Sequence, residues 1–118
     1  MQTFTSPSAR CHLSYHDFPG HTPACLFVHG LGCAGSYEYP RVAADPAFAG
    51  RRAILLDLAG SGYSERPRDF SYTTTAHART ILELVDHLGL HDLYLYGHSM
   101  GGSIAIEAAA QAVLDARD

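Results

Sequence analysis

The 118-residue chain has no lysine and no asparagine, and its eight basic residues, all arginine, are outnumbered by 12 acidic ones, leaving a net charge of −4. Arg51-Arg52 is the only adjacent basic pair, so the chain lacks the basic patch that would draw nucleic acid or an anionic membrane surface. Cysteine is scarce too. Cys11, Cys25 and Cys33 are odd in number and lack C-x-x-C spacing, which excludes a complete disulfide framework and a cysteine-built zinc site and leaves reduced thiols. No stretch approaches the roughly 20 apolar residues of a membrane span, and the N-terminus has no basic segment followed by a long apolar run. The expectation is a cytoplasmic protein with no membrane partner.

What the chain does have is 47% hydrophobic and 17% charged residues, an ordinary composition for one small globular domain over residues 1–118. The most informative stretch is 92–103. There Leu93 and Leu95 alternate with Tyr94 and Tyr96, a glycine-bracketed serine follows, and an apolar, alanine-rich segment begins with Ile104, Ala105, Ile106, Ala108, Ala109, Ala112 and Val113. This reads as strand, tight turn and helix. Gly97, Ser99 and Gly101 fit G-x-S-x-G, in which the serine occupies a sharp turn with φ > 0 and its neighbours two residues away must lack side chains. A serine that merely caps a helix is the competing reading.

Residues 2–5 and 11–18 read as an antiparallel pair of strands, with a turn at Pro19-Gly20. His12 and His16 would share a strand face about 13 Å apart, too far to chelate one ion directly, so His12, His16 and His21 give no metal site. Ala24–Val28 is a continuous apolar run, the composition of a parallel strand covered on both faces. It leads into His29-Gly30-Leu31-Gly32-Cys33-Ala34-Gly35-Ser36. Two functions compete for this loop. Gly30, Gly32 and Gly35 fit G-x-G-x-x-G with Asp57 22 residues beyond Gly35, the pattern of a dinucleotide-binding module. Pro40 and Asp45-Pro46 oppose that reading, because the helix launched under a pyrophosphate should be unbroken. The alternative is an oxyanion hole, whose amide donors come from the loop after an earlier strand and from the residue after the nucleophile.

Further on, a short helix is expected within 36–48 and a buried strand over 52–57. Asp57 then faces two roles, catalytic acid or acceptor of backbone hydrogen bonds in the glycine-rich turn that follows, and the second is favoured. Residues 65–75 read as a solvent loop ending at a helix N-cap. Ile81, Leu84, Val85 and Leu88 mark the inner face of a helix stopped by Gly89. His77, His87 and His91 are expected in solvated positions.

From residue 24 onward strand, helix and strand alternate, the pattern of a parallel sheet with helices on both faces. With His29-Gly30-Leu31-Gly32, Asp57-Leu-Ala-Gly60-Ser-Gly62-Tyr-Ser64 and Gly97-His98-Ser99-Met100-Gly101-Gly102 in that order, the chain resembles the α/β-hydrolase family. The resemblance covers essentially all 118 residues. It implies an α/β fold with a mostly parallel sheet, Ser99 as nucleophile, the amides of Leu31 and Met100 as oxyanion donors, and Gly97, His98 and Gly101 shaping the elbow. A serine rather than an aspartate at the elbow argues against the family's dehalogenase and epoxide-hydrolase branches. The family places its catalytic acid and histidine after the serine. Here only Glu107, Asp115 and Asp118 are acidic beyond Ser99 and no histidine follows His98. The chain therefore reads as the N-terminal half of the fold, truncated after the nucleophile helix.

The implied activity is hydrolysis of an ester or related acyl bond through an acyl-serine intermediate, with a small-molecule acyl substrate once the fold is completed and no cofactor or metal. The chain by itself is expected to be inactive, and a catalytically dead binding or interaction fragment is the alternative. In the family's strand order, strand 92–97 pairs with 24–28 on one side and with a strand missing here on the other. It is expected to form an uncharged open edge through which the chain self-associates.

Overall fold

A computed structural model describes residues 1–117, apart from the side chains of Glu38 and Arg117. Ten elements follow in order. Strands β1 (Gln2–Ser6), β2 (Cys11–Phe18) and β3 (His21–Val28) lead to short helices α1 (Gly35–Glu38) and α2 (Pro40–Ala44) and a 3-10 turn at Pro46–Phe48. Strand β4 (Arg51–Leu56), helix α3 (Thr74–His87), strand β5 (Leu93–Gly97) and helix α4 (Met100–Arg117) complete the described chain.

The five strands form one sheet in the order β1-β2-β4-β3-β5. The pairs β1–β2 and β2–β4 are antiparallel, while β3–β4 and β3–β5 are parallel. The sheet is thus mixed rather than mostly parallel, because the N-terminal hairpin joins it as an antiparallel flank. Parallel pairing begins at β3, where the continuous apolar run begins. That run serves two faces. Leu26 and Val28 join Ile54 and Leu56 beneath α3 and α4, and Phe27 and Cys25 join Ala53 and Leu55 beneath Tyr39, Ala43 and Phe48. Burial on both faces removes the usual reason for polar alternation.

Residues 36–48 do not form one helix. Pro40 opens α2 and Pro46 opens the 3-10 turn, each at a first-turn position that needs no N–H donor, so each proline starts a new segment instead of extending the last. Helix α3 is capped by Thr73, whose hydroxyl accepts the Ala76 N–H at 3.1 Å. Its inner face holds Ile81 and Leu84 fully, with Val85 and Leu88 half-buried. Loop 65–75 is less open than expected, since Phe70 is buried against the core below α3. Helix α4 buries Ile104, Ala105 and Ala108, but Ile106, Ala109, Ala112 and Val113 of the expected apolar face are exposed. Among the described residues no helix is long and apolar enough to cross a membrane.

His77 departs from expectation. It is only 4% exposed, its Nδ1 has no protein hydrogen-bond partner among the described residues, and its ring packs edge-on against Phe70 at 5.1 Å and Tyr72 at 6.0 Å. His87 and His91 are exposed, as the sequence suggests. Burial, reinforced to a smaller extent by the nearby His29 imidazole, pushes the His77 imidazole below the usual histidine value. The unfolded chain then binds a proton more readily than the folded one, so the stability linked to His77 is complete above the unfolded value and falls as pH drops below it. The free energy of unfolding should lose up to about 1.4 kcal/mol per pH unit below roughly pH 6.5 through this group. Urea melts of the wild type and His77→Phe between pH 8 and 5 should diverge on the acid side, with the variant the flatter of the two. Parallel curves would assign the acid sensitivity elsewhere.

Candidate functional site

Ser99 sits at the junction of β5 and α4 with φ 57°, in the left-handed region that a non-glycine residue enters only when its surroundings hold it there. The surroundings here are backbone. A Cβ on Gly97 would overlap the Gly101 carbonyl, and one on Gly101 would overlap the carbonyls of Val28 and His29. Glycines at both positions let the first turn of α4 rest on the ends of β5 and β3. The turn is closed by the His98 N–H to the Val28 carbonyl at 3.3 Å, the Gly101 N–H to the His98 carbonyl at 2.9 Å and the Gly102 N–H to the Ser99 carbonyl at 2.9 Å. Ser99 is therefore a strained residue at the turn into α4, and its hydroxyl caps no helix N–H among the described residues.

The glycine loop after β3 runs alongside this elbow. An ideal Cβ on Gly30 would lie 3.4 Å from Ser99 Cβ and 3.2 Å from the His98 carbonyl oxygen. Leu31, next in the chain, is 80% exposed, and Met100 begins α4 on the other side of Ser99. Among the described residues neither the Leu31 nor the Met100 amide donates to a protein carbonyl. The parallel β3–β5 pairing, with Val28 opposite Gly97, sets both loops at the same edge of the sheet.

Two buried side chains fix the loop. His29 has no exposed surface, its Nδ1 lies 2.8 Å from the Gly30 carbonyl oxygen, and its Nε2 accepts the Leu58 N–H at 3.0 Å. With Nε2 the acceptor, Nδ1 carries the hydrogen and donates to Gly30. Asp57 is equally buried. Its Oδ1 accepts the Ser36 N–H at 2.8 Å, and its Oδ2 accepts the Ser36 hydroxyl at 2.7 Å and the Tyr63 N–H at 3.0 Å. Asp57 thus fastens the end of the β3 loop to the turn after β4, and both its oxygens are engaged away from Ser99. Ser64 extends the lock, accepting the Ser14 N–H at 2.9 Å and donating to the Asp57 carbonyl. Sequence reading missed Ser36, Ser64 and Ser14. Ser36 and Ser64 could be suspected from their places at the ends of the two glycine-rich loops, whereas Ser14 has no signal because its role depends on β2 lying beside β4.

This arrangement fits a dinucleotide poorly. The segment after Gly35 is a single turn of helix ended before Pro40, and Asp57, the residue that would bind a ribose, is saturated by Ser36 and Tyr63. No group of three or more His, Cys, Asp or Glu among the described residues could hold a metal ion. His12 pairs with Thr5, His16 stacks on Phe18 and His21 points to the Ala49 carbonyl. Nor does a histidine or carboxylate among the described residues hydrogen-bond to the Ser99 hydroxyl. Glu107 accepts from Thr75, and Asp115 accepts from Arg79 and Gln111. Asp118 lies outside the described residues.

Comparison with known proteins agrees with this geometry. A sequence profile described as "alpha/beta hydrolase fold" matches residues 23–117. An uncharacterized hydrolase, YugF, of Bacillus subtilis is 32% identical over 113 residues, covering 94% of this chain and 40% of that protein. Haloalkane dehalogenase 2 of Mycobacterium tuberculosis is 37% identical over 105 residues, 88% of this chain and 35% of its own length. Among solved structures, an esterase from Exiguobacterium antarcticum superposes with a TM-score of 0.82 at 27% identity, covering 93% of this chain and 40% of that one. A mutant of the N-acyl homoserine lactonase AidH, complexed with N-hexanoyl homoserine lactone, gives 0.81 at 25% identity, covering 93% and 40%. The chain spans about 40% or less of the length of these relatives.

Asp57 offers a test of how the loops are held. Asp57→Ala strands three donors and should cost about 3–5 kcal/mol in urea unfolding. Exposed Asp69→Ala should stay within about 0.5 kcal/mol of wild type. Similar losses for the two would show that the loops hold their places without the carboxylate.

Proposed function

The chain belongs to the α/β-hydrolase family, and from that premise we propose that it is the nucleophile-bearing part of a serine hydrolase acting on an ester or related acyl bond. The observation that carries this reading is Ser99 itself, held at φ 57° with the loop at Gly30 packed against its Cβ. In the proposed reaction the Ser99 oxygen attacks the substrate carbonyl carbon, the C=O electron pair moves onto oxygen, and the Leu31 and Met100 amides stabilise the resulting oxyanion. Collapse expels the alcohol or thiol and leaves an acyl-serine for water to cleave.

Serine favours acyl transfer over displacement of halide from an alkyl carbon. An acyl-serine has a carbonyl that water can attack, whereas an alkyl ether of serine has none. The lactone complex of AidH is a further instance of an acyl compound bound by this fold. The substrate proposed for this chain is accordingly a small ester, thioester or lactone.

The proton of the Ser99 hydroxyl needs an acceptor, and a serine without a base within about 3 Å is a weak nucleophile at neutral pH. The elbow geometry and the loop at Gly30 support a site for the oxyanion, but no base reaches Ser99 among the described residues. In this reading the histidine and its carboxylate partner belong to residues outside these 118, and the chain by itself binds an acyl group at the elbow without rapid turnover. His98 adjoins the serine but its ring lies beside Gly30 on the other loop.

Hydrolysis of p-nitrophenyl acetate by this chain should therefore exceed that of Ser99→Ala by less than about tenfold, the remainder left to an oxyanion hole without its triad. A fluorophosphonate should label Ser99 slowly. Rapid stoichiometric labelling, lost in Ser99→Ala and kept in His98→Ala, would reveal a base that this reading lacks.

A further inference from the structure

Three rings meet where the loop 65–73 joins α3. Phe70 and Tyr72 stand edge-on to one another at 4.9 Å, and both stand edge-on to His77, at 5.1 and 6.0 Å. Each loop ring also holds a second position. Phe70 is buried in the core below α3. Tyr72 lies over Gly60 in the turn after β4, where a Cβ would come within 2.8 Å of its ring, and its hydroxyl donates to the Pro67 carbonyl at 2.7 Å. Tyr72 does so at φ 58°, a left-handed conformation that an aromatic residue keeps only while its contacts hold it. The loop is a strap with strained backbone at one end, and both of its anchoring rings rest on one imidazole.

That imidazole is placed where a positive charge has no support. His77 is 4% exposed with the described residues alone, so its enclosure depends on no segment further along the chain. Its Nδ1 is buried and has no hydrogen-bond partner among the described residues. As the fourth residue of α3 it also lies at the first helical turn, where the helix dipole opposes a cation. The groups around it give no relief. From β3 it faces a second imidazole, that of His29, and from the loop the ring of Tyr72. Asp57 is engaged by Ser36 and Tyr63, Arg79 of α3 pairs with Asp115 of α4, and Glu107 of α4 accepts from Thr75. Arg68 and Asp69 of the loop are exposed, and no carboxylate among the described residues pairs with His77.

Protonation adds a second ring N–H that this enclosure cannot accept, so a charged His77 has to reach water. We propose that protonation of His77 unfastens the strap: Phe70 and Tyr72 leave the imidazole, the first turn of α3 frays, and residues 66–77 open together while the sheet stays folded. Opening releases the left-handed Tyr72, which favours a local route over global unfolding. The amides that lose their partners are Ala76, which donates to the Thr73 hydroxyl, and His77, which donates to the Thr73 carbonyl. The turn beneath the strap has its own fasteners, His29 on the Leu58 N–H and Asp57 on the Tyr63 N–H. The device is independent of the chemistry at Ser99.

Amide hydrogen exchange on the wild-type chain tests this without a variant. Protection at Ala76 and His77, corrected for the intrinsic pH dependence of exchange, should fall about tenfold to thirtyfold between pH 7.5 and 5.0, the upper figure being the full linkage of a histidine that titrates near 6.5 when unfolded. Urea below its unfolding transition should leave exchange at these two amides unchanged, because a local opening exposes little surface. Leu58 and Tyr63 should stay the more protected at every pH. In His77→Phe, which keeps a ring and removes the proton site, the amides of residues 76 and 77 should vary by less than about twofold over the same range. Undiminished protection at Ala76 and His77 at pH 5.0, acid-induced exchange that steepens with urea and rises equally at Leu58, or the same acid response in His77→Phe would each overturn the proposal. The wild-type measurement decides the matter even where the variant is unstable.

Discussion

The close approach of α4 to the end of β3 is the contact on which the site depends. Gly101 presses its backbone against the Val28 and His29 carbonyls, and Gly97 makes room for the Gly101 carbonyl. A methyl group at either glycine would push the helix off the sheet. Ser99 would then lose the surroundings that hold it at φ 57°, a backbone conformation costing of order 1–3 kcal/mol. The same approach brings the loop after β3 against the serine, so Ser99 and this loop are positioned by one steric arrangement.

Around that contact the polar groups act as fasteners. His29 joins Gly30 to Leu58, Asp57 joins Ser36 to Tyr63, and Ser64 joins the turn after β4 back to β2. Each is buried, where an unmet hydrogen-bonding group costs more than a made bond contributes. The loops therefore have few alternative positions. Leu31, Tyr37 and Tyr63, in or just after these loops, are by contrast largely exposed.

The two flanks of the sheet contrast. At β1 the edge is tied to α3, where Glu83 accepts from the Ser6 hydroxyl at 2.6 Å and the Ser8 hydroxyl at 2.9 Å. At β5 no such tie exists among the described residues, and Tyr94 and Tyr96 are covered only from the side, by Arg51 and by Phe27 and Tyr39. Ile106 and Val113 of α4 are 74% and 61% exposed.

Much of this was legible in the residues. The strand, elbow and helix around Ser99, the buried runs at 24–28 and 52–57, and Asp57 as an acceptor in a glycine-rich turn all rest on local chemistry: periodicity, β-formers, glycine spacing and the short reach of an aspartate. Other features were beyond local reading. The N-terminal hairpin paired with β4 and so made the sheet mixed, and His77 went into the core although its helix position looked solvated. Half of the apolar face of α4 was left in the open. In each case the deciding contact joins residues far apart in sequence, as His77 does with His29 and Ser14 with Ser64. Sequence by itself determined which residues could turn, cap, pair or attack, because those properties belong to a side chain and its near neighbours. Only the tertiary structure decided which of them meet, because burial and alignment are set by the strand that happens to lie alongside.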